Sequence, residues 1–228
     1  MLILGIDDAG RGPLIGPMIL AGTLIDKAQE AKLKRHNIRD SKDVPHKERV
    51  KLAKLIKENS FSHKIVKTSP NEIDIALETA GTNLNTLEAK KAAIIINTIN
   101  IPKYQKEKIK VVVDCPSINT TAWQNTLLGF ITHKENLRVI CEHKADVNHI
   151  AVGAASILAK VTREEEVAKI KKQYGNIGSG YPSDPGTKEF LKKHGKELKD
   201  SGIFRKTWST WKKMFPAPGK NQSTLGDF

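Results

Sequence analysis

Leu2-Ile3-Leu4-Gly5-Ile6-Asp7-Asp8 opens the chain, Ala9-Gly10-Arg11-Gly12-Pro13 follows, and Met18-Ile19-Leu20-Ala21-Gly22-Thr23-Leu24-Ile25 comes next. Residues 2–6 are a short aliphatic run, as for a buried strand. The run ends on two aspartates. Gly10, Gly12 and Pro13 then break the pattern, and 18–25 reads as a second strand. Two strands joined through a Gly/Pro loop predict an antiparallel pair. With Gly16 the loop reads G-x-G-x-x-x-G, an echo of a dinucleotide fingerprint. A strand follows it, so no helix N-terminus is there to hold a pyrophosphate. No Gly-Lys-Ser/Thr follows either. The loop is a tight turn, or a place where bare glycine amides approach a ligand closely.

Beyond this pair the period changes. Val44, Val50, Leu52, Leu55 and Ile56 have helical spacing, with Asp40 and Ser41 ahead as candidate caps. Residues 61–68 alternate as a third strand. Helices are predicted over 82–99, 120–131 and 148–174, and strands over 110–114 and 137–141. A Gly/Ser/Pro loop spans 178–186. Short helices are expected at 188–198 and 205–214, then a flexible tail, 216–228. Early strand pairing followed by β–α units indicates an α/β fold, a mixed sheet with helices on its faces.

The 228 residues carry 38 Lys and Arg against 25 Asp and Glu, a net charge of +13. That excess favours a polyanionic partner. Residues 181–228 hold ten basic and five acidic residues; they make a candidate nucleic-acid-binding appendage or a set of solvated helix faces. The N-terminus lacks the basic region and unbroken apolar run of a secretory leader. No stretch approaches ~18 consecutive apolar residues. A soluble cytoplasmic protein is expected. Cys115 and Cys141 sit in apolar runs and read as buried free thiols, not a disulfide framework.

Acids stand at three strand ends: Asp7 and Asp8, Asp114, and Asp146 just past 137–141. A carboxylate beside an apolar strand is costly unless paired, hydrogen-bonded or metal-bound. If these strands are neighbours, four carboxylates meet at one edge and repel one another unless divalent cations neutralise them. Oxygen-only ligands select Mg²⁺ or Mn²⁺, and two such ions form the clamp used on phosphodiesters. The plain alternative is helix capping, with Asp146 capping 148–174. His143 and His149 flank Asp146 without a zinc-site pattern and are expected to face solvent or nucleic acid. Tyr181 is a loop aromatic, placed to stack on a base or sugar or simply to pack.

Taken together, GIDDAGRGP at 5–13, DSK at 40–42, VVVD at 111–114, EHKAD at 142–146, AASILAKVTR at 154–163, GSGYPSDP at 178–185 and FRKTW at 204–208 resemble type 2 ribonuclease H, ribonuclease HII, in its archaeal form. Order and spacing agree across about residues 3–208. The resemblance implies a ribonuclease H-like catalytic domain over 1–180 and a C-terminal helical nucleic-acid-binding subdomain over 181–215. It implies cleavage of the RNA strand of RNA/DNA hybrids and nicking 5′ of ribonucleotides embedded in duplex DNA, with two divalent ions and 3′-hydroxyl and 5′-phosphate products. It maps the catalytic, metal-binding acids to Asp7, Asp8, Asp114 and Asp146. The loop that reads the ribose 2′-OH through its backbone maps to Gly10, Arg11 and Gly12, the junction-sensing tyrosine to Tyr181, and a further substrate contact to Lys42. The family usually has Glu where this chain has Asp8. The rivals are another metal-dependent nuclease of the same fold, such as a junction resolvase, and a non-catalytic nucleic-acid-binding module.

The last seven residues, Gln222-Ser223-Thr224-Leu225-Gly226-Asp227-Phe228, resemble the motif that docks on the sliding clamp (PCNA). One helical turn puts Leu225 and Phe228 on one face, with Gln222 to orient them. A monomer with no membrane partner is expected.

Overall fold

The computed structural model describes residues 1–36, 38 and 44–216. Lys42, with Asp40 and Ser41, and the tail residues Gln222, Leu225 and Phe228 lie outside the described residues.

Five strands form one sheet: β1 (Leu2–Ala9), β2 (Met18–Ile25), β3 (Ser62–Thr68), β4 (Ile109–Asp114) and β5 (Leu137–Glu142), in the order β3-β2-β1-β4-β5. β1 pairs antiparallel with β2, and β2 with β3. β1 with β4, and β4 with β5, are parallel. The mixed sheet expected from the strand pattern is thus the one formed.

Ten helices are described: α1 (Lys27–Lys34), α2 (His46–Glu58), α3 (Pro70–Glu78), α4 (Leu84–Ile99), α5 (Pro102–Gln105), α6 (Thr120–Gly129), α7 (Ala145–Asn148), α8 (Ile150–Tyr174), α9 (Pro185–His194) and α10 (Ser209–Met214). Four of these, α1, α3, α5 and the single turn α7, escape an apolar-period reading. α1 buries only Leu33, so it has little stripe to read; its start is written in a capping box, Asp26 with Gln29. α3 begins where Ser69 accepts from the Glu72 amide with Pro70 in the first turn. α5 is a single short turn that buries nothing.

One sheet face packs Leu4, Ile6, Leu20, Val111 and Val113 against Leu87, Ala92 and Ile95 of α4 and Trp123 and Leu127 of α6. The other packs Ile19, Ala21 and Ile25 against α8, with Leu33 of α1 and Ala53 and Ile56 of α2 outside it. The first turns of α8 are buried on every side from Ile150 to Ala159, and apolar but for Ser156, because they run through the interior. Its close approach to β1 requires a glycine. A Cβ on Gly5 would overlap the backbone of Ala151 and Val152, and the Thr23 hydroxyl of β2 donates to the Ala151 carbonyl at 2.7 Å.

A third apolar cluster joins Leu14 and Ile15 of the β1–β2 loop and Val167 of α8 to Ile177, Phe190, Leu191, Ile203, Phe204 and Trp211. The segment after residue 180 therefore rests on the loop that follows Asp8. α10 starts four residues later than the predicted 205. Residues 206 and 207 form a turn instead, whose Lys206 and Thr207 amides and Thr207 hydroxyl donate to Asp74 of α3. α9 starts at Pro185, earlier than predicted, because Asp184 caps it through the Gly186 amide. No described helix is long and apolar enough to cross a membrane.

Candidate active site

Strand alternation distributes the acids. Asp8 continues the face of Leu4 and Ile6, towards α4, whereas Asp7 continues that of Ile3 and Gly5, towards α8. Ile6 pairs with Val113, so Asp7 comes alongside Asp114 at the parallel strand ends. Asp7, Asp8 and Asp114 line one crevice with Glu88, Pro116 and Trp123. The amide of Ala145, at the start of α7, donates to Asp114 Oδ1 at 2.9 Å. Asp146, buried, is the next residue. The fold thus brings Asp7, Asp8 and Asp114 to one crevice, and Asp146 follows the residue whose amide holds Asp114.

Asp146 is not the cap of the long helix. His149 occupies that position and makes no side-chain capping bond, and the cap of α7 is Lys144. The N-cap of α2 is Pro45. His149 Nε2 lies 2.9 Å from Glu142 Oε1, and the exposed His143 has Nδ1 3.1 Å from the Cys115 carbonyl. Cys115 and Cys141 are buried free thiols. Burial, above all, pushes the Cys141 thiol up to about 12.

Electrostatic crowding at the crevice is large. Asp7 is raised well above the ordinary carboxylate range, first by burial, then by Asp8 and Asp114. Asp8 keeps part of its surface open, yet desolvation is still the main cause that pushes it up to about 7, with Glu88 next and Arg11 opposing. Glu88, 1% exposed, is likewise pushed up to about 7 by burial against the pull of Arg11. Among the described residues no three His, Cys, Asp or Glu side chains are set as they stand to hold a metal ion. The charged groups at the crevice are nonetheless all carboxylates, and burial disfavours the negative charge of Asp7, Asp8 and Glu88, which suits a hard divalent cation.

Beside the crevice lies a cleft of about 290 Å³ lined by Asp8, Gly10, Arg11, Gly12, Lys160, Arg163 and Tyr181. The loop 10–12 forms its floor. Arg11 turns its side chain inward, donating to Glu88 at 2.9 and 3.0 Å and to Asn85 Oδ1 at 2.7 Å. Those bonds engage the guanidinium on α4, although the side chain as a whole stays partly exposed. Gly10 has φ +82°, and a Cβ there would meet Arg163 and the Pro17 carbonyl, so residue 10 needs glycine. Tyr181 is 40% exposed, with the Arg163 guanidinium 5.2 Å from its ring centre. A larger hollow, about 460 Å³, opens at the far end of β4 and β5 beside Lys108, Lys110 and Arg138, away from all these groups.

Sequence reasoning did not single out Glu88, Asn85, Arg163 or Arg205. Glu88 was findable as a charged residue inside the apolar stripe of α4. Arg205 carried no signal beyond FRKTW; it is fully buried and donates to the carbonyls of Gly10, Arg11 and Gly16. Burial and Arg163 lower it to about 9, so it remains charged at neutral pH.

The ribonuclease HII family model matches residues 4–211. Ribonuclease HII of Pyrococcus furiosus is 39% identical over 231 residues, covering 100% of this chain and 98% of that protein. Ribonuclease HII of Methanocaldococcus jannaschii is 39% identical, covering 94% and 95%. Among solved structures, ribonuclease H2 from Pyrococcus horikoshii superposes with a TM-score of 0.83 at 36% identity, over 94% of this chain and 97% of that one. The ribonuclease HII in a complex with PCNA from Archaeoglobus fulgidus gives 0.78 at 33% identity, over 91% and 95%.

Sheet order and neighbours together define a nuclease of the ribonuclease H-like fold. Within that class the chain belongs to the ribonuclease HII family. It is an enzyme of the ribonuclease H class, an endonuclease acting on RNA paired with DNA.

Proposed function

We propose that the chain cleaves the RNA strand of RNA/DNA hybrids and nicks duplex DNA 5′ of an embedded ribonucleotide, leaving 3′-hydroxyl and 5′-phosphate ends. The observation that carries this reading is the juxtaposition of an acid-lined crevice and a glycine-floored cleft sharing Asp8. Asp7, Asp8, Asp114 and Asp146 are the catalytic acids and would hold two divalent ions, Mg²⁺ or Mn²⁺. Bound there, such ions supply activation of water and neutralisation of charge at the leaving 3′ oxygen.

In this reading the chain's own residues select and position the substrate. The backbone of Gly10, Arg11 and Gly12 meets the ribose 2′-OH, which both donates and accepts and so separates RNA from DNA. Tyr181 stacks under the neighbouring sugar, Lys160 and Arg163 face the phosphates, and Lys42 adds a further contact. Residues 1–180 form the catalytic domain. Residues 181–215, with Lys188, Lys192, Lys212 and Lys213 on α9 and α10, form the helical subdomain that tracks the duplex. The tail, through Gln222, Leu225 and Phe228, docks on a sliding clamp. The PCNA-bound relative from Archaeoglobus supports that part. The protein works as a cytoplasmic monomer.

The test is a duplex with one embedded ribonucleotide, incubated with and without Mg²⁺ or Mn²⁺, against the same duplex in all-DNA form. A single metal-dependent nick 5′ of the ribonucleotide is expected. Equal cutting of the all-DNA duplex would favour a resolvase-type nuclease. Binding without any cutting would favour a non-catalytic module.

A further inference from the structure

The loop 10–12 is held from behind by the far end of the chain. Arg205 is completely buried. Its Nη2 donates to the Gly10 carbonyl at 2.6 Å, its Nη1 to the Arg11 carbonyl at 2.7 Å, and its Nε and Nη2 to the Gly16 carbonyl at 3.1 and 3.0 Å. Trp208 Nε1 donates to the Gly12 carbonyl at 3.0 Å. The Arg205 guanidinium lies 4.9 Å from the Trp208 ring centre. The backbones are tied as well: Gly16 N donates to the Ile203 carbonyl, and Arg205 N to that of Leu14, both at 2.9 Å.

A trans peptide is planar, and its N–H points opposite to its C=O. Drawing the Gly10 carbonyl inward turns the Arg11 N–H outward, and drawing the Arg11 carbonyl inward turns the Gly12 N–H outward. The Gly12 carbonyl is followed by Pro13, which has no N–H. Neither the Arg11 nor the Gly12 amide meets a protein acceptor among the described residues, and Gly12 is exposed. Three consecutive carbonyls are thus consumed on the inner side, and two unpaired donors are left on the cleft side.

We infer that Arg205 and Trp208 are positioning residues that set ribonucleotide selectivity, by clamping the loop carbonyls so that the Arg11 and Gly12 amides face the ribose. This rests on the proposed 2′-OH reading by the loop. A fork of guanidinium donors can serve three carbonyls at once; an ammonium cannot reproduce that planar set.

Trp208→Phe removes one donor and keeps an aromatic ring over Arg205; Arg205→Lys keeps the charge and loses the fork. Dissociation constants in EDTA would be measured by anisotropy for a one-ribonucleotide duplex and the same all-DNA duplex, with urea unfolding midpoints alongside. Trp208→Phe is expected to lower the wild-type selectivity ratio by about fivefold, changing all-DNA affinity less than twofold and the midpoint little. Arg205→Lys, where it folds, should lower the ratio at least as much, since charge alone does not rescue. A folded Trp208→Phe that keeps the wild-type ratio overturns the clamp while leaving the proposed function standing. A wild-type ratio of one overturns that function and this inference together.

Discussion

Arg11 Nε donates to both carboxylate oxygens of Glu88, at 2.9 and 3.0 Å, across 77 positions of sequence. Glu88 is buried on α4, and Asp8 lines the same crevice. The pair therefore ties the loop to the acidic crevice and adds a further negative group to the electrostatics of Asp7, Asp8 and Asp114. Arg11 is partly exposed, so its charge is screened and offsets the desolvation of Glu88 only in part.

Asp114→Asn is expected to abolish cleavage while leaving stability unchanged or raised. The asparagine keeps an oxygen for the Ala145 amide and removes a charge that raises both Asp7 and Asp8. Urea midpoints without divalent ions, together with the nicking assay, check this. A less stable but fully active variant would make Asp114 a structural residue.

Stability without divalent ions should fall as pH rises from about 4 to 7. Asp8 and Glu88 are each pushed up to about 7 in the folded protein, whereas unfolded carboxyls titrate near ~4. The folded state therefore binds the extra protons in that window, and the stability they give is present below it and lost as the pH passes through the folded values. Asp8→Asn and Glu88→Gln should each flatten the slope relative to wild type. Denaturant titrations across this range measure it; an unchanged slope in both variants would show that these carboxyls ionise normally.

Gly5→Ala should destabilise the fold by ~3 kcal/mol or more, or prevent folding. The added carbon would overlap backbone of α8, which cannot swing aside as a side chain can. Thermal unfolding tests this. A wild-type midpoint would mean that α8 moves off β1 at little cost.

Tyr181→Ala should slow nicking at a DNA–ribonucleotide–DNA junction by about tenfold and leave the unfolding midpoint close to wild type. The ring is substantially exposed, with the Arg163 guanidinium over it. Stacking on a nucleic acid is worth ~1–3 kcal/mol. Junction kinetics unchanged by the substitution would assign Tyr181 to packing alone.

Deleting 222–228 should abolish sliding-clamp binding in calorimetry and leave nicking of a short free oligonucleotide nearly unchanged. Undiminished clamp affinity would remove the tail as the docking element. Loss of activity on the free oligonucleotide would instead place Leu225 and Phe228 in contact with the catalytic body.

The five strands, the antiparallel first pair, the long helix after Asp146 and the short list of strand-end acids are legible in the residues alone. Strand identity is local: aliphatic runs bounded by Gly, Pro and Asp report it within a few residues. The motifs from 5–13 to 204–208 also pointed to the family. Which acids share a crevice depends on the folded chain, because the β1–β4 pairing joins residues about a hundred positions apart and alternation sends Asp7 and Asp8 to opposite faces. The folded structure alone showed Glu88 beneath Arg11 and Arg205 behind the loop. Buried charges of this kind leave little local pattern: what stabilises them is a set of hydrogen-bond partners 77 to 195 residues away, and that complementarity exists only once the chain has closed around them.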